Sequence, residues 1–159
     1  MTPARFVAAG FGAGFAPKAP GTAGSLVGLA LGAALLRLSP FALALAVILV
    51  TFSGIQIIRA ATGLPIRGEN KAAHDDPGWV VIDEIAGQML ALLALPRPSW
   101  VGVGLAFLLF RLFDILKPGP VGWADRQGGA AGIMADDVMA GFFACLILLG
   151  VGARFPGLF

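Results

Sequence analysis

The sequence predicts an all-α fold, a multi-spanning membrane helical bundle in a single domain over residues 1–159. About five transmembrane helices are expected, as two hairpins plus a C-terminal helix. Three observations predict this. Apolar residues make up 58% of the chain, and 23 glycines lift the combined share to roughly 72%, against about 45–50% in a soluble domain. Charged residues are only 13%, about half the usual share, too few to cover a soluble globule of this size. Long uncharged runs are broken by prolines at intervals suited to a hydrocarbon core about 30 Å thick.

The elements follow in order. Ala19–Leu36 is a run of 18 uncharged residues, and Leu38–Ile58 a run of 21 between Arg37 and Arg59. The second reaches ~31 Å as a helix. Ser39-Pro40 reads as a turn, because proline disfavours helix in the residue before it. The first hairpin is therefore expected as Gly24–Leu36 and Phe41–Ile58. Gly24, Gly28 and Gly32 recur every four residues on one face, which lets another helix approach closely.

A polar stretch, Arg59–Pro77, carries Arg67, Glu69, Lys71, His74, Asp75 and Asp76. The chain then turns apolar, with Asp83 and Glu84 embedded early. Pro96-Arg97-Pro98 predicts a second hairpin, Gly78–Leu95 and Ser99–Leu116; one long helix across Ile85–Phe110 is the alternative. A glycine-rich loop, Pro118–Gly132, leads into a last span at Ala135–Ala153.

This arrangement puts Met1–Ala23, Arg59–Glu84 and Arg111–Asp137 on one side of the membrane. Arg37, Arg97 and Arg154 fall on the other. Eight of eleven basic residues lie on the first side, which the positive-inside rule makes cytoplasmic. All nine acidic residues lie there too.

Scarcity excludes several chemistries. One cysteine, Cys145, allows neither an internal disulfide nor a cysteine zinc site. One histidine, His74, excludes two-histidine metal sites and histidine-pair phosphatase schemes. A net charge of +2 is too small to suggest nucleic acid.

Charged side chains within apolar helices usually face a bundle interior or a water-filled site. Asp83-Glu84 is expected beyond the first turn of the third span, and Asp136-Asp137 at the start of the fifth. Gly87 follows Asp83 by four residues and Gly141 follows Asp137 by four, so each acid shares a face with a bare patch. Such a patch leaves room for a hydrated ion or a phosphate. Oxygen-only ligands suit Mg²⁺, which takes one or two carboxylates plus substrate phosphate. The alternative for Asp136-Asp137 is that acids complement a helix N-terminus.

Arg111, Asp114 and Lys117 follow at spacings of three on one helix face. Arg111 and Lys117 are phosphate-binding types, and Asp114 can pair with them or bind metal; a structural ion ladder is the alternative. The loop Gly10–Ser25, with Gly21 and Thr22 near its end, runs into the first long helix as a candidate phosphate cradle. Thr22 is expected either to cap that helix or to donate to phosphate. His74-Asp75 and Asp125-Arg126 are ambiguous candidates for the site lining.

Four motifs now stand in order: Gly10-x-Gly-x-Gly-x-x-Pro-x-Ala-Pro-Gly-Thr-x-Gly-Ser25, Val81-Ile-Asp-Glu84 with Gly87, Phe110-Arg-x-Phe-Asp-Ile-x-Lys-Pro118, and Gly132-Ile-Met-x-Asp-Asp-Val-x-Ala-Gly141. Together, over about residues 8–150, they strongly resemble the phosphatidylglycerophosphatase A family. The resemblance implies a bacterial, Mg²⁺-dependent lipid phosphatase of the cytoplasmic membrane that converts phosphatidylglycerophosphate to phosphatidylglycerol. The implied catalytic set is Asp83, Glu84, Asp114, Asp136 and Asp137. Of these, Asp83, Glu84, Asp136 and Asp137 are expected to hold Mg²⁺, with Arg111, Lys117, Thr22 and Gly21 on the phosphate. Gly119 departs from the family's usual large aromatic, and Lys18 stands where relatives are often apolar. The expected partners are the bilayer and its phospholipid, and the sequence leaves room for a homo-oligomer. The competing class is a non-catalytic channel or transport subunit whose carboxylates bind a permeating cation; clustering of charge at one face argues against it.

Overall fold

The computed structural model describes residues 1–68 and 77–159. Candidates His74 and Asp75 lie outside the described residues. All regular secondary structure among the described residues is helical, with no strand. Its elements are α1 (Pro3–Ala8), a 3-10 coil (Gly10–Phe15), α2 (Pro20–Leu38), α3 (Pro40–Thr62), α4 (Ile82–Ala91), α5 (Trp100–Leu116), α6 (Pro120–Asp125) and α7 (Gly129–Arg154). A 3-10 turn, Leu92–Ala94, extends α4.

Both hairpin turns form where proline was expected to put them. Ser39 is extended and caps α3 by accepting the Ala42 N–H at 2.9 Å, with Pro40 following it. Ser99 caps α5 in the same way from Gly102 N–H, at 3.1 Å. The single helix across Ile85–Phe110 does not form.

Three helices, α2, α3 and α7, are long and apolar enough to cross a membrane. The two elements between them are shorter. With ten residues α4 reaches ~15 Å, and with 17 residues α5 reaches ~26 Å. Outward-facing Leu45, Ile48, Leu49 and Phe52 on α3, Leu108 and Leu112 on α5, and Leu146 and Leu149 on α7 give the bundle an apolar exterior. Trp100, 93% exposed at the start of α5, suits a membrane interface.

Three helix starts differ from the sequence reading. α2 begins at Pro20, four residues before Gly24, because a proline at the first helical position needs no N–H partner. Gly21 and Thr22 thus lie in its first turn. Left-handed Ala19 is the cap, and Thr22 is not. α7 begins at Gly129, six residues before Ala135. Its first N–H groups, orphaned in any helix, are taken by the Pro65 and Ile66 carbonyls at 2.9 and 2.8 Å. α4 begins only at Ile82, since Val81 N–H is drawn to the Ala8 carbonyl at 2.9 Å.

The bundle centres on α4, eight of whose ten residues are buried. Gly24, Gly28 and Gly32 of α2 lie against it: a methyl on Gly28 would sit 2.8 Å from the Ile85 carbonyl oxygen, and one on Gly32 2.6 Å from Leu92 Cδ1. α7 covers another side of α4. There a methyl on Gly87 would strike the Asp137 carbonyl, and one on Gly141 the Gly87 carbonyl. The N-terminal segment fixes the start of α4, with Arg5 over the Trp79 ring at 4.8 Å and Phe15 stacked on it at 6.3 Å.

Candidate active site

The shifted helix starts exchange the positions of the two acidic pairs. Asp83 and Glu84 occupy the first turn of α4, where acids complement the helix dipole. Asp136 and Asp137 sit two turns inside α7 and are buried. The dipole alternative thus moves from the second pair to the first. Gly87 and Gly141 are corrected as well. They do not hold space for a ligand; they remove side chains so that the backbones of α4 and α7 touch, as small residues do between membrane helices. That contact brings the acids together.

Oxygens of Asp83, Glu84 and Asp137 lie within 4.8 Å of one another. Asp83 is 2% exposed and Asp137 4%. Asp83 Oδ1 accepts the Glu84 N–H at 3.1 Å. Asp137 Oδ1 is buried with no hydrogen-bond partner. Gathering three carboxylates, two of them buried and Glu84 half-buried, is costly unless a cation joins them. Hard oxygen donors on three separate side chains, one of them unpartnered, fit a divalent metal such as Mg²⁺.

Arg111 of α5 closes this group from the side. Its Nη1 donates to Asp114 one turn on, and reaches Ser25 Oγ at 3.3 Å. Ser25 in turn donates to the Gly21 carbonyl at 2.8 Å. A side chain on Gly21 would collide with Glu84 Oε1 and lie 3.3 Å from Arg111 Nη1. The bare position therefore lets α2, α4 and α5 converge on one polar point. Thr22 makes no side-chain hydrogen bond among the described residues.

The remaining candidates gather around Lys117. Lys117, left-handed at the end of α5, donates to exposed Asp125 and, at 2.6 Å, to Asp136 Oδ2. Partial burial pulls its pKa down, but the hydrogen bonds to Asp125 and Asp136 outweigh that and hold it above the usual lysine range. Asp136 also accepts the Asp137 N–H at 3.0 Å. Its Oδ2 is thus engaged by the lysine and its Oδ1 by the α7 backbone, while its charge still bears on Asp83 and Asp137. Arg126 and Lys18 are exposed. Ser25 and Gln88 were not singled out by the sequence reading. Their signals were modest: Ser25 ends the first motif, and Gln88 follows Glu84 by four residues.

A helical bundle of membrane type, with carboxylates from two helices and an arginine from a third meeting at one end, defines the class. The particular family follows from comparison with known proteins. The chain belongs to the phosphatidylglycerophosphatase A family, whose profile matches residues 6–152. A Bacteroides thetaiotaomicron protein provisionally named a phosphatidylinositol-3-phosphatase is 40% identical, over 89% of each chain. Phosphatidylglycerophosphatase A of Haemophilus influenzae is 37% identical, over 95% of this chain and 90% of that one. The Escherichia coli protein of the same name is 35% identical, over 97% and 86%. No solved structure matches.

Proposed function

We propose that this protein hydrolyses the terminal phosphate of phosphatidylglycerophosphate, releasing phosphatidylglycerol and inorganic phosphate, with Mg²⁺ as cofactor. One observation carries the reading. Three acids from two helices gather their oxygens within 4.8 Å, with Asp83 and Asp137 buried and Arg111 meeting Glu84 across Gly21. Family membership supplies the substrate.

In this reading Asp83, Glu84 and Asp137 hold the cation, and Asp136 orients Lys117. Bound Mg²⁺ supplies charge neutralisation at a phosphoryl oxygen and acidifies water. Arg111 presents its guanidinium to the phosphate, held in place by Ser25 and Asp114, and the bare Gly21 lets it stand beside Glu84. Lys117 places a second positive charge at the rim. Thr22, in the first turn of α2, offers a further donor. In the membrane the chain crosses five times, α4 and α5 being the short crossings, with the site on the cytoplasmic face of a bacterial inner membrane. The excess of Lys and Arg on the side that carries Lys117 supports that orientation, and exposed Trp100 suits the opposite interface.

Purified protein in mixed micelles is expected to release phosphate from phosphatidylglycerophosphate only with Mg²⁺, and to stop on chelation. Absence of release under these conditions sinks the enzyme reading and returns the cation-channel alternative. The Bacteroides relative's name favours a phosphoinositide as the competing substrate, so a phosphatidylinositol 3-phosphate arm belongs in the same assay. For orientation, Cys145→Ala removes the sole native thiol. Added cysteines at Asp125→Cys and Arg97→Cys should then label from opposite sides of the membrane.

A further inference from the structure

One buried polar side chain has no part in the reading above. Gln88 of α4 is 0% exposed, and neither its Nε2 nor its Oε1 has a hydrogen-bond partner. An amide left so inside a protein is costly, and the cost is met when a ligand supplies the missing donor and acceptor.

Its position says which ligand. Gln88 lies four residues after Glu84, so the two share a helix face, with Gln88 about 6 Å deeper along α4. That face meets α2. A methyl on Gly28 would lie 3.1 Å from Gln88 Cβ, just as one on Gly21 would meet Glu84. Ser25 stands between those two glycines and is bonded to Arg111. Glu84, Arg111, Ser25 and Gln88 thus belong to one junction of α2, α4 and α5, with Gln88 on its membrane side.

The chemistry of an amide narrows the choice. Phosphate oxygens only accept, and would leave Oε1 unmatched; a cation would leave Nε2 unmatched. A hydroxyl both donates and accepts, and satisfies both atoms. We propose that Gln88 reads the glycerol hydroxyl adjacent to the phosphate ester and is a specificity-determining residue of this site. The inference rests on the phosphatidylglycerophosphate reading. With the terminal phosphate at Arg111 and the acyl chains in the membrane, the bridging glycerol falls on the membrane side of the phosphate, where Gln88 lies.

The test compares two lipids in mixed micelles with Mg²⁺: phosphatidylglycerophosphate, and a synthetic analogue with 1,3-propanediol in place of glycerol. The analogue keeps charge and length and lacks only the hydroxyl. Wild-type protein should prefer the hydroxyl lipid by about 10- to 100-fold in kcat/KM. Gln88→Met keeps length without the amide, and should bring that ratio close to one. Equal wild-type rates on the two lipids overturn the proposal, whatever the variant does. So does a variant that retains the preference, or one that loses both rates in proportion, since the amide then serves the fold or a buried water. A wild-type chain inert on both lipids defeats the phosphatase reading and this inference with it. An active chain blind to the hydroxyl defeats the inference alone.

Discussion

Two polar groups lie at the same end of the bundle, and they are built on opposite plans. In the outer one, Lys117 is bonded to both Asp125 and Asp136, and each charge has an opposite neighbour. In the inner one, Asp83, Glu84 and Asp137 crowd like charges together, and Asp137 Oδ1 has nothing to bond. Exposure follows the same division. The outer group reaches solvent through Asp125, whose side chain is 46% exposed, whereas Asp83 and Asp137 are nearly dry. A group that already neutralises itself holds structure; one that carries an unmet demand for positive charge is prepared for a ligand. Sequence spacing alone treats Asp136 and Asp137 as equivalent, and the difference between the two groups separates these adjacent residues.

The sharpest way to break this comparison is to remove charge from each group. Asp83→Asn and Asp137→Asn keep shape and delete a carboxylate from the inner group. Each should lower phosphate release by about 100- to 1,000-fold without lowering the amount of protein extracted in folded form. Asp136→Asn, one residue away, should cost far less turnover. Its main effect should be to loosen Lys117. Equal losses at Asp136 and Asp137 would dissolve the distinction between the groups.

Much of this was legible in the chain, for identifiable reasons. The hairpins were, because Ser39-Pro40 and Pro96-Arg97-Pro98 act locally through proline's restricted backbone. The close approach of α2 was legible in Gly24, Gly28 and Gly32, although its partner α4 was not. Helix starts were the weak point. Those of α4 and α7 are set by distant carbonyls of Ala8, Pro65 and Ile66, which no local pattern reveals. That error exchanged the depths of the two acidic pairs. It also disguised Gly87 and Gly141 as ligand space when they are the helix contact itself. Gln88 escaped notice because an amide in a helix is unremarkable until its burial and lack of partners are known.

The helix contact offers the next test. Gly141→Ala inserts a methyl against the Gly87 backbone, so α7 must move away from α4. Overpacking of this kind should cost about 1–3 kcal/mol, read as a lower unfolding temperature in detergent. Phosphate release should fall with it, because Asp137 retreats from Asp83. Gly104→Ala is the control. Nothing lies within 4 Å of the added methyl, and the substitution should be neutral or slightly stabilising.

The outer group should respond weakly and at a different pH. Asp125→Asn removes an exposed partner of Lys117 while Asp136 keeps hold of the ammonium. The expected cost is at most about 1 kcal/mol, as for other solvent-facing pairs, with turnover changed no more than a few-fold. The sign of the pH dependence follows from Lys117. Its folded pKa is raised above the ordinary 10.5, so the stability it contributes is complete below that value and is lost only as pH climbs through the raised one. Wild-type protein should therefore show no stability loss from this group between pH 6 and pH 9 in thermal unfolding. Lys117→Met should flatten the decline in stability seen above pH 10.5. An unchanged alkaline decline in that variant would mean that the lysine's two carboxylate bonds contribute nothing to holding α5, α6 and α7 together.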